Sequence, residues 1–205
     1  MSNRVFLLIV GLALAAALAF EFATRKTGFE GDMTIAQLDS TTVQLNGTLG
    51  DASLGRLKRY IRQNPEVQTL ELGSMPGTIN KSMTLVMGRW VRKQGLDTQL
   101  TASSWIASGA VDLFLSGRER RIECGARIGV HAWGNTFGDL IISAEDNKNS
   151  WHVDHQEDIR FFNDLGYDGK TLYDFIISSA SHDEIHYMTT EEMNRFGFAS
   201  TPLSC

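Results

Sequence analysis

Three short segments hold side chains that can do covalent chemistry. Ala107-Ser108-Gly109-Ala110 opens a short apolar helix. A serine there sits at the positive end of the helix dipole, beside backbone N–H groups with no partner in the helix. An oxyanion formed next to its Oγ is stabilised, and the small neighbours let a substrate approach. The same residue at the same place also serves as an ordinary N-cap, and most helix-opening serines do no more than that. His131 stands in the apolar run 127–133 (RIGVHAW). Alone it is a core or interface histidine; beside a serine it is the base that a hydroxyl needs to become a nucleophile. Ser74-Met75-Pro76-Gly77 follows a strand, and its plainest role is a strand-to-helix turn. In a shared site the Gly77 N–H becomes an oxyanion donor.

A rival site uses other histidines. His182-Asp183-Glu184-Ile185-His186 spaces two imidazoles at i and i+4, the spacing of H-E-x-x-H zinc hydrolases, with Asp183 where that motif has its glutamate base. His152 or His155 would be the third ligand. Against this, residues 179–186 carry no helical stripe, and solvated loop histidines produce the same pattern.

The elements that must position these residues alternate along the chain. Residues 43–49 alternate apolar and polar as a half-buried strand does, up to Gly50. Ser53 begins a helix with Leu54, Leu57, Tyr60 and Ile61 on one face, ended by Asn64-Pro65. Strand 67–72, helix 80–93, strand 97–102, helix 107–115 and strand 127–133 follow. Helices 155–165, 171–179 and 190–196 complete the reading, the last capped by Thr189 or Thr190. Repeated strand–helix units imply right-handed crossovers and an α/β fold.

The remaining sequence restricts partners and place. The 205 residues carry 19 Lys+Arg against 24 Asp+Glu, a net charge of −5. No basic stripe is present, which argues against nucleic acid as partner. Residues 5–20 (VFLLIVGLALAAALAF) are uninterruptedly apolar, with Arg4 before them and small residues at Ala17 and Ala19. That pattern fits a cleaved secretory signal or an uncleaved membrane anchor, and both carry the rest of the chain across a membrane. The expected organisation is therefore a signal or anchor over 1–23, a linker over 24–41 and one domain over 42–205. The expected location is periplasmic, or on the extracytoplasmic face of the membrane. Cys124 and Cys205 are too few for a disulfide scaffold, and whether they pair is open.

Taken in order, residues 42–197 resemble the Clp protease proteolytic subunit and crotonase superfamily, in particular its exported bacterial members. The resemblance runs through the opening strand with Gly47, Pro65-Glu66-Val67 before a strand, and the Pro-Gly turn with its long helix. It continues through Ala-Ser-Gly-Ala, Gly117 nine residues after the serine, a strand ending in His131, and the closing Tyr187-Met188-Thr189-Thr190-Glu191-Glu192…Phe196-Gly197. It implies a ClpP/crotonase-like α/β fold of repeated ββα and βαβ units, with a mostly parallel sheet flanked by helices. By the same resemblance Ser108 is the nucleophile and His131 the base. Gly77 and Gly109 are the oxyanion donors; Asp183, with Glu184 next to it, is nearest to the third triad position, and a dyad without an orienting acid is the alternative. Two departures stand out. Met75-Pro76-Gly77-Thr78 has one glycine where the family has two, and Asp112 lies one turn beyond Ser108 in an apolar helix. The expected activity is a serine hydrolase acting on a peptide or acyl bond without a cofactor, able to form a homo-oligomer and bound to the membrane if residues 1–23 persist. The alternatives are a non-catalytic tethered scaffold of the same fold, or the zinc hydrolase through His182 and His186.

Overall fold

Short strands in pairs, each pair followed by a helix or turn, make up the central part of the chain. The computed structural model describes residues 31–137, 140–144 and 153–205. The apolar run 5–20, Trp151 and His152 lie outside them. In three successive pairs the first strand joins one sheet and the second joins another. The pairs are β3 (Thr69–Leu72) with β4 (Ser74–Met75), β5 (Asp97–Leu100) with β6 (Trp105–Ala107), and β7 (Arg120–Ile122) with β8 (Arg127–Val130). The first sheet also takes β1 (Thr34–Gln37) and β2 (Thr42–Asn46), in the order β1-β2-β3-β5-β7, parallel except for β1 on β2. The second has the order β11-β8-β6-β4, where β11 (His186–Tyr187) is antiparallel to β8. A hairpin of β9 (Gly134–Phe137) and β10 (Leu140–Ser143) stands apart. The α/β, mostly parallel arrangement read from the sequence is present, divided between two sheets.

The helices form where the apolar periodicity places them. Helix α1 (Ser53–Gln63) buries Leu54 and Leu57 and ends at Asn64, ahead of Pro65. Helix α2 (Lys81–Gln94) is capped by the Asn80 side chain and stops at Gly95 in the left-handed region. Helix α3 (Gly109–Leu115) is buried along nearly all its length, so it carries little amphipathic signal. Helices α4 (Val153–Asp164) and α5 (Gly169–Ser179) pack on each other and on α2 and β8. Helix α6 (Thr190–Arg195) opens with a full capping box between Thr189 and Glu192. One apolar core joins both sheets to the helices, with Phe114, Phe161 and Phe198 wholly buried in it. Gly117 marks the tightest approach: a Cβ there would lie 2.2 Å from Thr98 Oγ1 and 2.8 Å from its backbone nitrogen.

Strands β1, β4, β6, β7 and β11 have only two to four residues each. That is too short for alternation to show, which is why sequence reading passes over them. Residues 34–37, inside the stretch read as a linker, are the edge strand β1. The basic run 118–121 is occupied structurally: Arg118 and Arg121 hold the buried Asp97, while Arg120 donates to the carbonyls of Phe198 and Gly117.

The C-terminal tail returns along β7, the outer strand of the first sheet. Ser200 N–H donates to the Arg120 carbonyl at 2.9 Å, and Arg120 N–H donates to Ser200 Oγ at the same distance. A Cys124–Cys205 disulfide closes this strap over 81 residues of chain, with Cα atoms 5.7 Å apart. Closing so long a loop removes entropy from the unfolded chain worth about 4 kcal/mol. Replacing both cysteines by serine is expected to lower the unfolding free energy by an amount of that order, read from urea titrations. An unchanged midpoint would contradict it.

Candidate active site

Strands β6 and β8 run parallel with Ala107 opposite Gly129. Ser108 comes next, and the same pairing fixes it: its N–H donates to the Gly129 carbonyl at 3.1 Å, and its carbonyl accepts from Val111 N–H at 2.8 Å. Held between strand and helix, Ser108 takes φ 53° and ψ −133°, the one non-glycine residue at positive φ among the described residues. Such a conformation costs an L-residue about 1–3 kcal/mol. The serine stands at the N-cap position of α3, yet its Oγ makes no capping bond. The hydroxyl that a structural cap would have spent on the helix is left for other use.

The Pro-Gly turn lies against it. Leu49 N–H donates to the Gly77 carbonyl and Ile79 N–H to the Leu49 carbonyl, at 2.9 and 3.0 Å, so the turn is bridged to residue 49. Gly77 has φ 137°, and a Cβ there would come within 2.9 Å of Ser108 Cβ and 3.4 Å of its Oγ. No other residue fits so close to the serine. Among the described residues the N–H groups of Gly77, Thr78 and Gly109 have no acceptor. Thr78 follows Gly77 in the turn. Its hydroxyl accepts from Asn80 N–H at 3.0 Å and from the Thr84 hydroxyl at 2.8 Å. A Cβ on Gly109 would strike the Thr78 side chain at 2.4 Å, so Gly109 makes room for Thr78. Gly77 abuts the serine from behind, while Thr78 and Gly109 line the open side.

His131 follows β8, two residues past Gly129. Its Nδ1 lies 3.1 Å from the His182 carbonyl oxygen. A carbonyl only accepts, so Nδ1 carries the proton and Nε2 keeps a lone pair, the tautomer a base requires. Burial pushes the imidazole below the ordinary histidine value, against the opposing pull of the His182 carbonyl. Ser108, Gly109, Thr78 and His131 line one cavity of about 640 Å³, whose wall also holds Lys81, Asp112, Asp158 and His182.

Two expectations are corrected here. Asp183 does not touch His131: it is exposed, accepts a hydrogen bond from the Ser181 hydroxyl at 2.7 Å, and is held below the usual carboxylate range by that bond. The group that orients His131 is the main-chain carbonyl one residue earlier. The zinc spacing also dissolves, because residues 181–187 form a turn and strand β11 rather than a helix. His182 enters the cavity, its buried Nδ1 without a hydrogen-bond partner. His186 sets Nε2 2.9 Å from the Glu192 carboxylate, and His155 Nδ1 is 2.6 Å from the Tyr173 hydroxyl. Among the described residues no three His, Cys, Asp or Glu side chains are grouped to hold a metal ion.

Sequence reasoning missed Lys81, Asp158, Thr78 and Tyr173. Lys81 forms an ion pair with Asp158, which is 3% exposed, and stands 5.5 Å from the centre of the Trp133 ring. Trp133 Nε1–H donates to the Tyr173 hydroxyl at 2.8 Å, bracing the far wall. These contacts join residues from 40 to 77 positions apart and leave no local pattern; the Asn80-Lys81 helix start is their one visible sign.

Sequence comparison matches no family model and no curated protein. Solved structures do match. Two are of the membrane-bound stomatin-specific protease 1510-N: a serine-to-alanine variant, 14% identical with a TM-score of 0.55, covering 78% of this chain and 76% of that one, and a lysine-to-alanine variant in complex with a substrate peptide, 15% identical with a TM-score of 0.55, covering 78% and 72%. An enoyl-CoA hydratase from Bacillus anthracis matches at 12% identity and a TM-score of 0.50, covering 82% and 68%. The fold of this chain is therefore ClpP/crotonase-like.

The strain at Ser108 is measurable. Ser108→Gly is expected to be more stable than Ser108→Ala by about 1 kcal/mol, since only glycine adopts φ 53° without cost. Equal stabilities in urea unfolding would show that the backbone there is unstrained.

Proposed function

We propose that this chain is a serine hydrolase acting on a peptide or acyl bond. The observation that carries the reading is the strained Ser108, released from capping and facing a cavity shared with a histidine whose tautomer leaves Nε2 as acceptor. Ser108 Oγ attacks the carbonyl carbon as His131 Nε2 takes its proton. The proton then passes to the leaving group, and water repeats the sequence on the acyl-enzyme. The oxyanion is held by Gly109 N–H together with an N–H of the Gly77-Thr78 turn. His182 acts through its carbonyl in the place of an orienting acid. The Lys81 ammonium, paired with Asp158, is not free to serve as base.

Ser108→Ala and His131→Ala are each expected to lower kcat/KM by about a thousandfold or more, and the double variant by little beyond either, because the two act as one unit. Asp183→Asn is expected to stay within about threefold of the parent, since that carboxylate faces solvent. The rate should fall on acidification with a midpoint below the ordinary histidine value of 6.5, as His131 must be neutral to accept a proton. Full activity in either alanine variant, or a rate that rises as pH falls, would overturn the assignment. A folded protein that hydrolyses no peptide or ester would instead favour the tethered scaffold.

We place the domain outside the cytoplasm, on the apolar run 5–20 and on the disulfide, which persists in oxidising compartments. Membrane attachment through residues 1–23, if they persist, and assembly with further copies of this chain belong to the same proposal. A reporter that matures only in the cytoplasm, fused after Cys205, is expected to stay dark while the protein is present. A bright fusion would contradict export.

A further inference from the structure

We propose that the cavity beside Ser108 is a specificity pocket for a long side chain ending in a cation, with Asp112 as its counter-ion. The inference rests on the hydrolase reading for the position of the scissile bond. Asp112 lies in the first turn of α3, four residues after the N-cap Ser108. Both residues line the cavity. Between them and beyond, Val111, Val130, Phe162, Ile176 and Ile177 give the cavity apolar walls against which a methylene chain can pack.

The charge arrangement selects the head group. Among the described residues, Lys81 from α2, Asp158 from α4, Tyr173 from α5, His131 after β8 and His182 before β11 are the titratable groups that share the cavity with Asp112. Lys81 is ion-paired with Asp158. His131 donates to a carbonyl, and Tyr173 accepts from Trp133. The Asp112 carboxyl makes no hydrogen bond and no ion pair with any described residue. Burial, with the neighbouring Asp158 charge, pushes it up to about 7, against the pull of Lys81. A cation seated beside it would keep it ionised and complete the charge balance of the cavity. An acidic side chain would set a second negative charge beside Asp112, and a purely apolar one would leave the acid unpaired.

The test uses the full-length protein purified in detergent and three serine-directed aryl phosphonates. One carries a lysine-like side chain, one the isosteric norleucine-like chain, and one no side chain; adducts are located by mass spectrometry. At pH 8 the lysine-like probe is expected to modify Ser108 at least tenfold faster than the norleucine-like one. The ratio should shrink towards one below pH 6, as Asp112 takes up a proton, and should be near one at every pH in Asp112→Asn. A norleucine-like probe that reacts equally fast or faster overturns the pocket and leaves the hydrolase reading standing. A preference kept in Asp112→Asn overturns the role of Asp112.

Failure of all three probes would remove the hydrolase reading instead. A second measurement, independent of Ser108 reactivity, then decides on the pocket. Hexylammonium is expected to raise the thermal midpoint of the wild type and not of Asp112→Asn, while hexan-1-ol raises neither or both equally. Equal shifts by hexylammonium in the two proteins overturn the proposal.

Discussion

The hydrogen bond from Ser108 N–H to the Gly129 carbonyl ties the candidate nucleophile to the strand that carries the candidate base. Because β6 and β8 are parallel and in fixed register, a displacement of one strand would carry Ser108 and His131 apart together with the whole pairing. The register in turn depends on the core beneath it, where Ile106 and Ile128 face each other fully buried. The positive φ of Ser108 is the consequence: chain leaving a strand must enter α3 within one residue. A buried helix packed on both sheets is what makes that turn affordable. The strain lives on one residue and the compensation is spread through the core.

Electrostatics then separates two regions of one cavity. At the serine end stand main-chain N–H groups without an acceptor among the described residues, and a histidine whose burial lowers its proton affinity, an environment that favours a developing negative charge. In the same cavity the Lys81–Asp158 pair and Asp112 place charged groups among apolar walls. Lys81 of the pair stands against the Trp133 ring, which in turn contacts His155 and donates to the Tyr173 hydroxyl. Helices α4 and α5 therefore do more than cover the sheet; they furnish Asp158, Phe162, Tyr173, Ile176 and Ile177 to the cavity wall.

Much of this is legible in the sequence. The long helices announce themselves because one face is apolar and their ends carry Asn80, Gly95 and Thr189. Ser108, His131, Gly77 and Gly109 could be named because small residues around a serine, and a histidine in an apolar strand, are unusual enough in that order to resemble a known fold. The orienting group of His131 could not be found, since a main-chain carbonyl has no letter in the sequence, and counting towards the family position reached Asp183 instead. The spacing of His182 and His186 misled for a related reason: an i, i+4 pattern has meaning only on a helix, and none forms there. Lys81 with Asp158, and Cys124 with Cys205, are pairings made by topology across 77 and 81 residues, which no local pattern encodes.

The central claim is that Ser108 Oγ is a nucleophile made reactive by its surroundings. It is tested most directly by treating the intact protein with a fluorophosphonate that has no recognition element and mapping the adduct. The account predicts a single stoichiometric modification at Ser108, absent from heat-unfolded protein and slowed at least a hundredfold in His131→Ala. Absence of an adduct at Ser108 in the folded protein, or modification at the same rate without His131, would contradict it.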